Sequence, residues 1–441
     1  MEKVREQLNV RKERAVLVGA VLRGRGQTNH DDDLVELTAL ARSAGALVVD
    51  RFQQKIRKIH PATYIGRGKA QMLWDRVEEF DADVVIFDND LSPGQIRELE
   101  KIIEVKVLDR SELILDIFAT GAKTKQAKLQ VELAQLQYTY PRLTRMWSHL
   151  DTVAGAGGAG SVGAVGGIGT RGTGEKQLEI DRRLVNKRIT ELKRDLKEID
   201  KRRLREIDGR GGSFKICLVG YTNAGKSTLM NTLTDAGVMV EDRLFATLDT
   251  RTKKWAMERG IEALLSDTVG FIKHLPHQLV ASFKATLEET VNADLLLHVV
   301  DISGNEVFEQ IESVETVLEE IGCGDKEKLV LLNKADIVAK AGLLESLETV
   351  YPDAVCISAK TGMNLDKLAQ AVLEKYKKGD VLIRLTCHPG NGKVQSYLQA
   401  NARILKREFT DDTVLIEARL GKTQLPALKR LSPRQLQVLE T

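Results

Sequence analysis

The stretch "GYTNAGKST", Gly220 to Thr228, follows an apolar run and opens a segment that favours helix. Its spacing, G-x-x-x-x-G-K-[ST], is typical of a phosphate-binding loop, in which backbone N–H groups at a helix N-terminus surround phosphate oxygens. The Lys226 ammonium would reach the β- and γ-phosphates, and the Ser227 hydroxyl would bind Mg²⁺. For this motif taken alone, a chance glycine turn before a helix is the alternative.

Three further motifs stand at the ends of predicted buried strands: "SDTVG" (Ser266 to Gly270), "NKAD" (Asn333 to Asp336) and "SAK" (Ser358 to Lys360). Strand ends are where ligands bind in a doubly wound sheet. The Asp336 carboxylate can accept hydrogen bonds from N1–H and the 2-amino group of guanine, and adenine has neither donor there. Asp267 can support the hydration shell of Mg²⁺. Together the motifs predict binding of GTP or GDP.

The segment "FATLD", Phe245 to Asp249, lies between the phosphate-binding loop and Asp267. A segment in this position is the expected first switch, ordered by the γ-phosphate and released on hydrolysis. We expect Thr247 to be the second protein ligand of Mg²⁺. Thr250 and Thr252 are the alternatives.

The position directly after Asp-x-x-Gly, where many GTPases carry a glutamine that orients the attacking water, is Phe271 here. A phenylalanine cannot orient water by hydrogen bonding, so we expect slow intrinsic hydrolysis that a partner or a monovalent cation completes. Asn223 has the residue type and position that potassium-dependent GTPases use to hold K⁺. Stabilisation of the loop turn is the alternative role for Asn223.

The predicted site therefore has three sets of residues. We expect catalytic roles for Lys226, Thr247, Asp267 and Gly270, and metal ligation by Ser227 and Thr247. We expect the nucleotide to be bound by Gly220, Tyr221, Thr222, Asn223, Ala224, Gly225, Lys226, Ser227, Thr228, Phe245, Ala246, Thr247, Leu248, Asp249, Asp267, Thr268, Val269, Gly270, Asn333, Lys334, Ala335, Asp336, Ser358, Ala359 and Lys360.

The composition is that of a soluble globular protein, with 42% hydrophobic and 29% charged residues. The formal net charge is only +3, so contact with nucleic acid would have to come from local patches. Four cysteines without CxxC or CxxH spacing argue against a structural zinc site and a disulfide framework. We expect neither a signal peptide nor a membrane span, and hence a cytoplasmic protein.

Strand-like and helix-like segments alternate over most of the chain, which predicts an α/β fold. We expect an N-terminal α/β domain (1–119), a helical hairpin with a glycine-rich tip (120–212), a P-loop GTPase domain with a doubly wound sheet (213–378) and a small C-terminal α+β domain (379–441). The hairpin is predicted from apolar residues at intervals of three and four on both arms. These are Leu129, Leu133, Leu136 and Tyr140, then Val185, Ile189, Leu192, Leu196 and Ile199.

The join between the two arms is unusual, because ten of the twenty residues from Gly155 to Gly174 are glycine. Six basic and two acidic residues lie between Thr120 and Gly174, and thirteen basic and nine acidic residues lie between Glu175 and Arg210. Both stretches are locally positive, which favours contact with phosphate groups. Arg171 can pair with a phosphate or stack on a base. A disordered linker beside a solvated charged helix is the alternative.

Over about residues 15–378 the sequence resembles the HflX family of the Obg–HflX group of GTPases. The matching segments are "YIGRGK" (Tyr64 to Lys69), "GTRGTGEKQLEIDRR" (Gly169 to Arg183), "GYTNAGKST", "FATLD", "DTVGFI" (Asp267 to Ile272), "NKAD" and "SAK".

The resemblance implies a GTPase that uses Mg²⁺ and binds the large ribosomal subunit and its rRNA. It also implies dissociation or rescue of ribosomes under stress, with the large subunit stimulating hydrolysis. We expect a monomer, since the mechanism needs no closed homo-oligomer. Two alternatives remain: a nucleotide-gated factor that only binds large subunits, and an assembly factor for immature ones. A second nucleotide site, for ATP, near "YIGRGK" is a further possibility, although the segment lacks P-loop spacing.

Overall fold

A computed structural model describes residues 12–22, 34–155, 182–199, 214–234, 244–245, 250–257, 262–273, 289–304, 306–337, 341–378, 380–410, 412–421 and 424–440. The chain forms two compact units. The first contains the described residues up to 199 together with Leu244 and Phe245, and the second contains the other described residues from Phe214 onward.

The first unit begins with a four-stranded sheet in which all the pairings are parallel, in the order β2-β1-β3-β4. Its strands are β1 (Arg14–Leu22), β2 (Leu47–Ile56), β3 (Val84–Phe87) and β4 (Lys106–Asp109). Helices α1 (Val35–Ala44), α2 (Arg67–Glu79) and α3 (Pro93–Ile103) alternate with these strands. Every side chain of β3 is buried, which is why an inner parallel strand appears in the sequence as an unbroken apolar run.

Helix α3 begins with a capping box. The Ser92 hydroxyl accepts a hydrogen bond from the Gln95 N–H at 3.3 Å, and the Gln95 side chain accepts one from the Ser92 N–H at 2.8 Å. Pro93 occupies the first helical position, where its missing N–H costs nothing. These reciprocal bonds satisfy two groups that a helix start otherwise leaves without partners.

A helix that sequence reasoning missed, α4 (Arg110–Gly121), follows β4 directly. The Asp109 side chain caps it by accepting a hydrogen bond from the Glu112 N–H at 2.9 Å. The Arg110 guanidinium is buried and pairs with Asp88 at 2.6 Å and with Glu36 at 2.9 Å. Opposite charges therefore compensate the ion that this helix places inside the unit.

The helical hairpin consists of α5 (Lys125–Gly155) and α6 over 182–199. Leu133, Leu192 and Leu196 form its buried core, with Leu129, Leu136 and Ile189 packed around them. The Arg188 guanidinium binds both carboxylate oxygens of Glu132, at 2.9 and 3.0 Å. The predicted seam is thus present in the described parts of both arms, and the glycine-rich tip from residue 156 to 174 lies outside the described residues.

Leu244 and Phe245 belong to the first unit although they follow the phosphate-binding loop in sequence. The Phe245 ring is buried and meets the Phe118 ring edge to face, with 4.5 Å between the centroids. The Leu244 N–H donates to the Ser43 hydroxyl at 3.1 Å. The start of the predicted first switch is therefore anchored on α4 and α1.

The second unit contains a six-stranded sheet in the order β10-β9-β8-β5-β7-β6. Its strands are β5 (Phe214–Gly220), β6 (Arg251–Ala256), β7 (Glu262–Asp267), β8 (Leu295–Asp301), β9 (Lys328–Asn333) and β10 (Val355–Cys356). Helices α7 (Lys226–Thr234), α8 (Val307–Glu320), α9 (Ala341–Val350) and α10 (Leu365–Lys378) connect or follow them. All the pairings are parallel except that of β6 with β7, and β6 was not predicted.

The same unit ends in a four-stranded antiparallel sheet, ordered β12-β13-β11-β14. Its elements in chain order are β11 (Asp380–Cys387), α11 (Gly392–Asn401), β12 (Ala402–Thr410), β13 (Thr413–Gly421), α12 (Leu425–Arg430) and β14 (Gln435–Glu440). Alternate residues of β11 and β13 are buried in one core with residues of both helices. The predicted α/β class, with a P-loop domain between N- and C-terminal additions, is confirmed.

Among the helices of the described residues, none has the length and apolar character needed to cross a bilayer.

Candidate nucleotide-binding site

The phosphate-binding loop joins β5, an inner strand of the sheet, to α7. Gly225 has a φ of +96°, and a Cβ on it would lie 2.3 Å from the Asn333 amide nitrogen. Only glycine fits there, because the φ is strained for other residues and the buried Asn333 side chain occupies the space of a Cβ. Asn223 also has a positive φ, 60°, a conformation that asparagine tolerates better than most residues.

Lys226 begins α7 with its ammonium inside the loop. Its Nζ donates to the Gly220 carbonyl at 3.0 Å and to the Tyr221 carbonyl at 2.7 Å. Burial lowers the pKa of Lys226 to about 8, against the opposing effect of the Asp267 carboxylate. The ammonium is thus held in a site where phosphate oxygens would stabilise its charge.

Ser227 and Asp267 meet although they are distant in sequence. The Ser227 hydroxyl donates to the Asp267 carboxylate at 2.7 Å, and the Asp267 side chain at the end of β7 is buried. The predicted metal ligand and the predicted support of the metal hydration shell therefore lie side by side.

The segment after Asp267 pairs with the loop itself. The Thr222 N–H donates to the Phe271 carbonyl at 2.8 Å, and the Phe271 N–H donates to the Gly220 carbonyl at 3.1 Å. The Thr268 hydroxyl donates to the Leu218 carbonyl at 2.7 Å. Phe271 is 3% exposed, so its side chain is buried rather than turned to solvent.

Gly270 lies close against the loop. A Cβ at this position would be 2.8 Å from both the Cα and the Cγ2 of Thr222 and 3.0 Å from the Lys226 Nζ. The first of these is a backbone atom, which cannot move aside as the end of a flexible side chain can. Three residues thus converge where the loop meets the end of β7.

Asn333 ties the "NKAD" and "SAK" motifs to the loop. Its amide nitrogen donates to the Ala224 carbonyl at 2.7 Å, and its amide oxygen accepts from the Ala359 N–H at 2.9 Å. The side chain is 2% exposed. One buried amide therefore holds three segments in fixed register.

The residues predicted to surround the base differ in exposure. Asp336 and Lys360 are exposed, whereas Ser358 is fully buried and its hydroxyl accepts from the Thr361 N–H at 3.2 Å. Lys334 pairs with Asp301 at 2.6 Å.

Two features of this site were missed by sequence reasoning. Asp301, the partner of Lys334, ends the inner strand β8, and its position at a strand end was an available signal. The second feature is Lys273, whose ammonium pairs with Glu306 at 2.5 Å and Glu309 at 2.7 Å while its N–H donates to the Tyr221 hydroxyl at 2.9 Å. No sequence motif indicates these contacts of Lys273.

The predicted first switch is only partly described. Phe245 packs in the first unit, as given above, and Ala246, Thr247, Leu248 and Asp249 lie outside the described residues. The other predicted site residues all lie in the second unit, at the loop and at the ends of β7, β9 and β10.

Three family models match successive parts of the chain. A family model described as "GTP-binding GTPase N-terminal" matches residues 31–119, "GTP-binding GTPase Middle Region" matches 121–210, and "50S ribosome-binding GTPase" matches 215–334. The GTPase HflX of Lacrimispora saccharolytica is 42% identical over 410 residues, which are 92% of this chain and 93% of that relative. The chain belongs to the HflX family of GTPases. As a member of the HflX family it contains a GTP-binding domain.

Another relative is the GTPase HflX of Escherichia coli strain K12, which is 41% identical over 396 residues, covering 88% of this chain and 90% of the relative. Among solved structures, a GTP-binding protein from Sulfolobus solfataricus in complex with GDP is 26% identical. That similarity covers 82% of this chain and 98% of the other, with a TM-score of 0.42. The two HflX relatives and the three family models confirm the identification of the HflX family from sequence motifs.

Proposed function

We propose that this HflX-family chain is a Mg²⁺-dependent GTPase that binds the large ribosomal subunit and its rRNA and dissociates or rescues ribosomes under stress. It would act in the cytoplasm as a monomer. The observation that carries the proposal is the match of residues 215–334 to a family described as 50S ribosome-binding GTPase, over a segment that contains the phosphate-binding loop.

The geometry at the strand ends supports the following nucleotide contacts. Lys226 and the N–H groups of Gly220 to Thr228 would bind the phosphates, and the Gly270 N–H would meet the γ-phosphate. Asp336 would select guanine, as its carboxylate accepts two hydrogen bonds from that base. The exposure of Asp336 supports this assignment, since the carboxylate is accessible to a ligand.

A magnesium ion fits the donors that the site brings together. Among the described residues, no group of three or more His, Cys, Asp or Glu side chains could hold a metal ion, and the site instead pairs one hydroxyl, Ser227, with one carboxylate, Asp267. A few hard oxygen donors suit Mg²⁺, which keeps several waters and shares phosphate oxygens. We assign Ser227 and Thr247 as its protein ligands. Bound there, Mg²⁺ would neutralise charge on the β- and γ-phosphates.

We further propose that hydrolysis is slow without a partner and is stimulated by the large subunit. The side chain of Phe271 is buried and cannot orient the attacking water, so another group must complete the catalytic site. K⁺ held by Asn223 is one candidate, and the exposure of Asn223 leaves room for such an ion. In this proposal the hairpin (120–212) is the stalk that carries the glycine-rich tip to rRNA. In the proposed domain organisation, an N-terminal α/β domain (1–119) precedes the hairpin. A GTPase domain (213–378) and a small C-terminal domain (379–441) follow it.

The deciding experiment compares GTP hydrolysis with and without purified large subunits, in potassium and in sodium buffer. The variants are the wild type and a deletion of Gly155–Gly174, and GDP binding by the deletion variant is the control for an intact nucleotide site. Strong stimulation that vanishes in the deletion supports the proposal. Unchanged slow hydrolysis in every condition contradicts a ribosomal partner.

A second measurement distinguishes dissociation of ribosomes from binding to them alone. Intact ribosomes are mixed with the protein and a non-hydrolysable GTP analogue and then resolved on a sucrose gradient. Free subunits support dissociation. Intact ribosomes that carry the protein favour a nucleotide-gated binding factor, and preference for precursor particles favours an assembly factor.

A further inference from the structure

Asp301 ends β8 with a carboxylate whose two oxygens have different partners. Its Oδ1 accepts hydrogen bonds from the Ser303 N–H at 2.9 Å and from the Ser303 hydroxyl at 2.6 Å. Its Oδ2 accepts from the Lys334 ammonium at 2.6 Å, and the Asp301 and Lys334 side chains are 21% and 27% exposed. One oxygen of Asp301 therefore orders its own turn, and the other is committed to Lys334.

Lys334 lies on the same tight turn as Asp336. The Ile337 N–H donates to the Lys334 carbonyl at 3.0 Å, which closes the turn over Ala335 and Asp336. The Ala335 N–H donates to the Ile357 carbonyl at 3.1 Å and so fixes the turn to the next segment. A lysine ammonium is a compact charge on a flexible stem, so another position of the Lys334 side chain on this turn would bring its charge to Asp336.

The Asp336 carboxylate is open to such an approach. It is exposed, and within the part of the chain that the structure describes it has no hydrogen-bond or ion-pair partner. In the proposed function this carboxylate accepts hydrogen bonds from guanine. An ammonium on Asp336 would occupy the same acceptor oxygens, so the position of the Lys334 charge decides whether they are available to a base.

We propose that Asp301 is a positioning residue for guanine recognition, which engages the Lys334 ammonium and so keeps the Asp336 carboxylate available to the base. The inference rests on the proposed selection of guanine by Asp336. The pairing of β8 with β9 supports it, because Asp301 lies opposite Asn333, the residue before Lys334. Without the charge of Asp301, Lys334 would bind Asp336 in the nucleotide-free chain, and guanine would have to displace it.

The test is the Kd for GDP of the full chain, measured by calorimetry for the wild type and for Asp301→Asn. Asparagine keeps an oxygen for the Ser303 donors, but its amide nitrogen carries only donors and cannot accept from Lys334. The Kd should rise about three- to fivefold, which is the effect of an ordinary exposed ion pair acting as a competitor. Thermal unfolding shows whether the variant is folded.

Glu315→Gln is the matched control. It removes a carboxylate that pairs at 3.1 Å with Lys328, at the other end of β9. The Kd for GDP should then stay within about 1.5-fold of the wild-type value, since this pair has no access to Asp336.

Asp336→Asn distinguishes competition by Lys334 from a structural effect of Asp301. The new amide accepts from N1–H and donates to the 2-carbonyl of xanthine, so this variant should prefer xanthosine diphosphate to GDP. A neutral amide does not attract the ammonium as a carboxylate does. In the Asp336→Asn background, Asp301→Asn should therefore change the Kd for xanthosine diphosphate by less than about 1.5-fold.

Each of the other outcomes is decisive. An unchanged or lower Kd for GDP in Asp301→Asn overturns the inference alone. An equal loss of affinity in the two backgrounds also overturns it, because Asp301 would then only support the end of β8. If Asp336→Asn does not prefer xanthosine diphosphate, the proposed selection of guanine by Asp336 is wrong, and this inference is wrong with it.

Discussion

Gly270 and Lys226 show how tightly single residues are constrained at the phosphate site. The Cα of Gly270 faces the Thr222 backbone so closely that a side chain of any size would push one segment away from the other. The Lys226 ammonium donates hydrogen bonds to two carbonyls of the loop. The chemistry therefore depends on a close contact between the loop and the segment that follows β7.

Gly270→Ala should abolish most GTP hydrolysis while the protein remains folded. The added methyl would lie 2.8 Å from the Thr222 Cα, and relief of that clash displaces the segment from the γ-phosphate. We expect a loss of at least about tenfold in single-turnover rate, the scale of one lost contact in a transition state. Gly342→Ala, whose added methyl meets nothing within 4 Å, is the control. Equal rates in the two variants would contradict the prediction.

Nucleotide affinity should fall as the pH rises through about 8, the pKa of Lys226 in this structure. Phosphate oxygens stabilise the charged ammonium, so the complex binds this proton more tightly than the free chain does. Above that pH, the free chain has largely lost the Lys226 proton. Nucleotide binding must then take up a proton, so the affinity decreases as the pH rises. The Kd for GDP measured from about pH 6.5 to 8.5 tests this. A flat profile of the Kd against pH in the wild type would disprove the assignment.

Within the described part of the hairpin, Leu133, Leu192 and Leu196 form the buried core between the two arms. Leu192 is fully buried between them. Leu192→Ala should lower the free energy of unfolding by about 2–5 kcal/mol, the usual cost of a core cavity. Denaturant unfolding monitored by circular dichroism measures the change. Leu184→Ala, at a position that is 60% exposed on the same helix, is the control and should have little effect. Similar losses in both variants would mean that Leu192 is not a core residue.

The elements that sequence reasoning found are those with a periodic or fixed pattern. The phosphate-binding loop has a fixed spacing because its backbone must surround an anion, and the hairpin repeats apolar residues at intervals of three and four. Helix α4 was missed because every residue from Arg110 to Phe118 is buried, which removes the apolar stripe of a surface helix. Strand β6 was missed because it is an edge strand with only Trp255 buried. The contact of Lys273 with Glu306 joins residues that only folding brings together.

Over the whole molecule, residues that are close in sequence can belong to different compact units. Phe245, which is 5% exposed, packs on Phe118 within the first unit, although the phosphate-binding loop of the second unit precedes it. Phe245→Ala should therefore destabilise the first unit by about 3–5 kcal/mol, the usual cost of removing a buried aromatic ring. Calorimetry of the full chain measures the shift in Tm. Phe409→Ala, at a ring that is 67% exposed, is the control. An unchanged Tm for Phe245→Ala would contradict the packing.

The C-terminal sheet has two outer strands, β12 and β14, and each pairs with its inner neighbour through a register shift. The exposed outer strand β12 also carries Lys406, Arg407 and Glu408 in succession. Irregular pairing and charge both hinder the addition of a further strand to a sheet edge. The register shifts at both edges, and the charged residues on β12, therefore disfavour pairing of these outer strands with a sheet edge of another copy.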